Sequence, residues 1–320
     1  MRTGGMNEER GPSPRIAWPE GKRFAFTIFD DPDGQTLEQT RLVYSFLGDL
    51  GFRTTIAVWP LGATRAANSG GETCENPAYR NYVQQLQASG FEIGYHNATL
   101  HSSTREETIR SLDAFRQYFG ADPSAMANHY NQEAIYWGPA RIGGMRRLLY
   151  LALTRGETAG KHFGHVEGHP MFWGDVCRDR IRYCRNLVFA DINTLQACPW
   201  MPYEDSLRPW VRRWFCASEA AKGPAFLKIT EPLHLDRLEQ QAGASILYTH
   251  FGHGFTDGNK LRPEFRKTME GLARKNGWFV PVSTLLDFLE ARRGPVALSA
   301  AERRKLEWRW LREKIFRGTS

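Results

Sequence analysis

Three times within the first 120 residues, a short apolar run is followed by a segment of helical period, and this alternation restricts the fold more than any other feature. Phe24–Phe29 is a nearly continuous apolar run, the pattern of a strand buried on both faces. Thr36 and Gln39 then form a capping-box signature, Val43, Phe46, Leu47 and Leu50 follow at helical spacing, and Gly51 closes the segment. Thr54–Leu61 is the next expected strand, followed by a Gly/Ser/Asn-rich loop over 62–75. The helix after it opens at Asn76-Pro77, buries Tyr79, Tyr82, Val83 and Leu86, and stops at Gly90. Phe91–Tyr95 is the third strand; Ser103 and Glu106 cap a helix carrying Ile109, Leu112, Phe115 and Phe119. A strand at Ala125–Tyr130 and a helix near 139–153 continue the series. Strands alternating with helices of this length predict βα units around a parallel sheet.

Residues 155–235 break the rhythm. They hold His162, His165 and His169, are rich in aromatic residues, and are predicted to carry strands at Leu187–Ile192 and Phe226–Thr230, as later barrel units plus an insertion. The βα pattern returns with a strand at Ser245–His250, a helix carrying Phe265, Met269 and Leu272, a strand at Trp278–Val282 and a helix over Ser283–Arg292. The expected organisation is a flexible tail over 1–22, a barrel over 23–294 and a basic amphipathic helix over 295–320.

Charge and cysteine content limit the function. The formal net charge is +7, but seven basic and three acidic residues in 301–320 supply more than half of it, which argues against a nucleic-acid surface spread over the protein. The apolar stripe of that last segment, Leu306, Trp310, Leu311 and Ile315, suits packing on the barrel, with contact to an anionic membrane surface as the alternative. The first 22 residues lack the apolar core of a secretory signal, and no apolar run approaches the ~20 residues of a spanning helix, so the expected location is cytoplasmic. Five cysteines without a CxxC pair read as buried thiols; Cys177, Ile181 and Cys184 are spaced to share one helical face.

In parallel α/β folds, ligands bind at the carboxyl ends of the strands. The first strand ends in Asp30-Asp31, an adjacent pair that is costly to bury without a compensating cation. The third ends in His96, with His101 five residues on, and the late strand runs into YTHFGH with His250 and His253. Carboxylates and imidazoles converging from three strand ends would make a hydrolytic metal site with an open coordination position. Pro32-Asp33-Gly34 reads as turn chemistry.

These stretches resemble the polysaccharide deacetylases of the NodB-homology group, carbohydrate esterase family 4. IFDDP at 28–32 is similar to the family's T-F-D-D-G motif, His96 to His101 approximate H-(S/T)-x-x-H with one residue too many, and ILYTH at 246–250 is similar to its late strand ending in His. GWFVPVSTLLDFL at 277–289 is similar to its closing strand and helix. The resemblance covers roughly residues 23–292 and implies a distorted (β/α)7 barrel. It implies that Asp30 is the general base, that Asp31, His96 and His101 hold a divalent metal, usually zinc, and that His250 is the general acid. His253 is the alternative acid. A backbone N–H near Tyr130 would stabilise the oxyanion.

The chain departs from the family at R-x-P-Y, which aligns with Ala127-Asn128-His129-Tyr130, so the arginine that orients the base is missing there. Asn128 or His129 would stand in, with Arg141 downstream. Asp191 is the nearest match to D-x-x-D-W. The implied activity is metal-dependent N-deacetylation of an amino-sugar glycan or a glycan precursor, a carbohydrate partner. A non-glycan amide hydrolase and a metal- or glycan-binding pseudoenzyme are the alternatives. The histidines at 162, 165 and 169 read as loop residues, and Trp173 and Asp175 as core plus helix cap.

Overall fold

The computed structural model describes residues 16–319, so most of the expected N-terminal tail lies outside the described residues. Seven parallel strands form the body: β1 (Phe24–Asp30), β2 (Thr55–Val58), β3 (Glu92–Tyr95), β4 (Ala125–Met126), β5 (Tyr183–Phe189), β6 (Arg213–Glu219) and β7 (Ala244–Thr249). Each pairs with the next, and β7 returns to β1 over a six-residue register from Ala25↔Ala244 to Asp30↔Thr249. The sheet is therefore a closed (β/α)7 barrel. Its distortion has a visible cause: the two-residue strand Gly277–Trp278 takes the start of β1, leaving β2 only Phe29 and Asp30 to pair with. Trp18 packs beneath, against Trp278 and Phe288, and donates from Nε1 to the Ala242 carbonyl at 3.0 Å.

The first three helices follow the sequence pattern: α1 (Leu37–Asp49), α2 (Pro77–Ala88) and α3 (Arg105–Phe119). The third starts one residue later than the spacing suggests. Thr104 and Glu107 close the capping box, while Ser103 is diverted, donating its N–H to Glu133 and its hydroxyl to the His101 carbonyl. The helix expected near 139–153 is split into a 3-10 turn, Gly138–Arg141, and α4 (Gly144–Leu153).

The middle of the chain differs most from expectation. Phe226–Thr230 is not a strand: Gly223–Ile229 is a helix, and Pro224 in its first turn supplies the pre-set φ that starts it. The sixth barrel strand is instead Arg213–Glu219, whose residues 214–218 are all buried. Cys177 and Cys184 do not share a helical face; Cys177 lies in the middle of a short helix (Gly174–Arg180) and Cys184 lies on β5, their sulfurs 3.8 Å apart. All five cysteines are free and buried.

The C-terminal helix (Ala300–Arg317) turns Leu306, Trp310 and Leu311 inward. A buried ionic network anchors it: Glu307 accepts from Arg146 Nε at 2.7 Å, Arg208 Nη2 at 3.2 Å and the Gly143 N–H at 3.0 Å, and Arg303 pairs with Asp205 at 2.7 Å. Glu313 accepts the Ala190 N–H just beyond β5, so the helix crosses the carboxyl end of the barrel. No helix among the described residues is long and apolar enough to cross a membrane.

Candidate active site

The turn after β1 sets the site. Asp30 ends the strand, Asp31 donates its N–H to Thr249 of β7, and Pro32 accepts the Gln35 N–H at 3.1 Å, turning Asp33 back over the barrel mouth. Gly34 sits at φ +69°, which favours glycine, and a Cβ there would lie 2.5 Å from the His253 ring and push that exposed side chain aside.

Asp33, His96 and His129 offer three ligand atoms within 4.8 Å of one another. His129 Nε2 is 3.1 Å from Asp33 Oδ1, and His96 Nε2 is 3.2 Å from Asp33 Oδ2. Ser69, from the loop after β2, donates to Asp33 at 2.6 Å. Burial alone would raise the Asp33 carboxyl, but hydrogen bonds and charge from His129 and His96 outweigh it and hold Asp33 well below the usual carboxylate range. His96 directly follows β3, and His129 lies three residues beyond β4. Trp59, at the end of β2, walls both imidazoles, its ring 5.6 Å from His96 and 5.7 Å from His129.

The donor set fits a divalent cation. Two imidazoles and a carboxylate are the ligand types of open catalytic sites. Nδ1 of His96 and Nδ1 of His129 are buried without a hydrogen-bond partner, a cost that native structures rarely leave uncompensated.

The other residues expected here are differently engaged. Asp31 is buried in a two-pronged ion pair with Arg185, at 2.9 and 2.5 Å, and its Oδ1 lies 3.8 Å from His96 Nδ1. His101 has both nitrogens occupied: Nε2 accepts the Thr64 N–H at 3.1 Å and Nδ1 faces the Ser102 carbonyl at 3.0 Å. The ring ties down the loop after β2 and lies apart from the three-residue cluster. Asp30 is fully buried and accepts from the Phe251 N–H at 2.8 Å, Tyr44 Oη at 2.8 Å and Gln35 Nε2 at 3.2 Å. Asn128 is closed on the backbone of Ile135 through both side-chain atoms. Tyr130 is 52% exposed, its ring tilted at 43° with its centroid 4.2 Å from that of His129, and it donates to the Asn68 carbonyl.

His250 stands at the rim. Its Nδ1 faces the Ala221 carbonyl at 2.9 Å, which leaves Nε2, 3.3 Å from Tyr248 Oη and 3.7 Å from Asp33 Oδ2, toward the cluster. His253 packs on Gly34 instead. Asp191 joins Arg237 and Arg309 in an outer ion pair, and Asp175 pairs with Arg105. His162 and His165 are used in loop hydrogen bonds.

Sequence reasoning did not single out Arg185. Its signal was an arginine inside the apolar strand YCRNLVF. The register of β5 against β6 slips by one residue between Arg185 and Val188, a bulge of the kind that re-aims a side chain.

Burial dominates the Asp30 carboxyl and pushes it up to about 8, the three donors offsetting only part of the shift. An acid with a raised folded pKa favours folding most below its unfolded value, and that contribution is lost as pH rises through the folded one. Urea unfolding of the wild type should therefore lose, between about pH 5 and about pH 8, a few kcal/mol that Asp30→Asn retains. Parallel pH profiles would show instead that Asp30 is ionised throughout.

No family model matches the chain, and no curated protein matches it by sequence. Solved structures do match. The Puue allantoinase is 12% identical with a TM-score of 0.50, covering 88% of this chain and 95% of its own. The chain shares its barrel fold. Two proteins assigned as polysaccharide deacetylases also align over most of their length. One, from Mycobacterium smegmatis, is 13% identical, TM-score 0.48, with 90% of this chain and 98% of that chain covered. The other, from Pseudomonas aeruginosa PAO1, is 12% identical, TM-score 0.47, with 89% and 96% covered.

Proposed function

We propose that this protein is a metal-dependent hydrolase of amide C–N bonds, acting as an N-deacetylase on an amino-sugar compound. The observation that carries the reading is the Asp33–His96–His129 cluster at the carboxyl end of the barrel, with Asp31 on one side and His250 on the other. Asp33, His96 and His129 would hold a divalent ion, and zinc suits this donor set. When bound there, such an ion supplies a Lewis acid that polarises the acyl oxygen.

This chain's own groups supply the proton transfers. Asp31, oriented by Arg185, takes the proton of the attacking water. Arg185 thereby occupies the role that the R-x-P-Y arginine would have filled. His250, with Nδ1 committed to the Ala221 carbonyl, presents Nε2 to protonate the leaving nitrogen. The exposed Tyr130 ring offers a flat platform above His129, suited to the apolar face of a sugar.

Among the structural neighbours are proteins assigned as polysaccharide deacetylases and an allantoinase, so cyclic amides and ureides form the second substrate class. The zinc-loaded protein should release acetate from N-acetylated amino sugars at least about a hundredfold faster than it opens a cyclic ureide, a difference of ~2.7 kcal/mol in transition-state binding. The reverse preference would move it to the second class. No turnover of either would leave a metal-binding pseudoenzyme.

A further inference from the structure

Arg141 is a buried cation without a counter-charge. It closes the 3-10 turn before α4, is 4% exposed, and lies with Cζ 4.3 Å from the Trp137 ring centroid and 4.8 Å from that of Trp310. Its Nε and Nη1 have no hydrogen-bond partner, its side-chain hydrogen bond goes to Tyr150, and among the described residues no carboxylate forms an ion pair with it. Lys314 shares the same aromatic wall, with Nζ 5.5 Å from the Trp310 centroid and 6.0 Å from Tyr150, and its hydrogen-bond acceptor is the Thr319 carbonyl at 3.0 Å. Burial lowers Arg141, with Tyr150 opposing and the Arg185 charge adding to it; burial and then Arg141 push Lys314 down to about 8, with the Glu219 carboxylate opposing.

Removing an unpaired charge from water is costly, and aromatic faces return only part of that cost. Two cations at one tryptophan are thus a liability to folding and fit a ligand better than a core. Their place fits one too. Arg141 is near enough to Arg185 to feel its charge and lies close to the neutral Tyr248 phenol, and these residues hold Asp31 and contact His250.

We infer that Arg141, with Lys314, receives an anionic group of the substrate, a carboxylate or a phosphate. This inference rests on the hydrolase reading and narrows it to acylamino compounds that carry fixed negative charge. The planar guanidinium suits two-pronged recognition of either anion.

The test has two arms. Inorganic phosphate is titrated calorimetrically into the zinc-loaded wild type, Arg141→Met, Arg141→Lys and Lys314→Met. Affinity should fall at least about tenfold in Arg141→Met and be partly kept in Arg141→Lys. In the second arm, kcat/KM is compared for N-acetylglucosamine, its 6-phosphate and N-acetylmuramic acid. The charged sugars should be preferred at least about tenfold through KM, the better of the two identifying the anion, and the ratio should collapse toward one in Arg141→Met. Equal phosphate affinity in all four proteins, or no preference for a charged sugar that is turned over, overturns the inference while the hydrolase reading stands. Arginine-dependent phosphate binding without turnover supports the anion site and overturns the hydrolase reading. Lys314→Met and Arg141→Lys keep the test decisive should Arg141→Met not fold.

Discussion

Purified His129→Ala should retain less than about a tenth of the divalent ion carried by the wild type, and Asp33→Ala should behave alike, whereas His101→Ala should keep it. The wild type should carry about one ion per chain by elemental mass spectrometry. The expectation follows from geometry: a site with three protein ligands cannot lose one and hold its ion against dialysis, while His101 is committed to Thr64 and Ser102. Activity should fall with the ion by at least about three orders of magnitude in the first two variants. If His101→Ala loses the ion and His129→Ala keeps it, the binding set is Asp31, His96 and His101.

Asp31→Asn should keep the ion and lose kcat by about 10²–10⁴-fold, the range for removal of a general base. Arg185→Met tests the same pair from its other side. It leaves a buried carboxylate unpaired, and the cost should be about 3–5 kcal/mol of stability by urea unfolding. The double variant, Asp31→Asn with Arg185→Met, should be less destabilised than the sum of the two, because the residues share one interaction. Should Asp30→Asn abolish turnover while Asp31→Asn spares it, the base is Asp30, and its three buried donors hold a reactive group.

The barrel was legible because βα rhythm and helix caps are local signals; the first three units show the rhythm, the first and third a capping box and the second an Asn-Pro start. The sixth strand was not, because RWFCASE carries charges at both ends, while the apolar FLKI beyond it invites a strand reading that Pro224 defeats. In the site, His96 was readable from its strand end. Asp33 was hidden by a Pro-Asp-Gly sequence that looks like a plain turn, and the turn is real; it also aims the carboxylate inward. His101 lies outside the cluster because its ring is held by the Thr64 N–H, a contact with a residue 37 positions away on which motif spacing is silent. Arg185 needed a bulge to reach Asp31, and a bulge leaves little trace in a single sequence.

The seam between β1 and β7 joins Ala25 to Ala244, so nearly the whole barrel must be in place before the first strand finds its second partner. Until then FAFTIF, an apolar strand of high β-propensity, stands with an open edge. Refolding from denaturant should therefore be limited by a slow, long-range closure and lose yield steeply with protein concentration, with aggregation nucleating at this strand rather than in the helical layer.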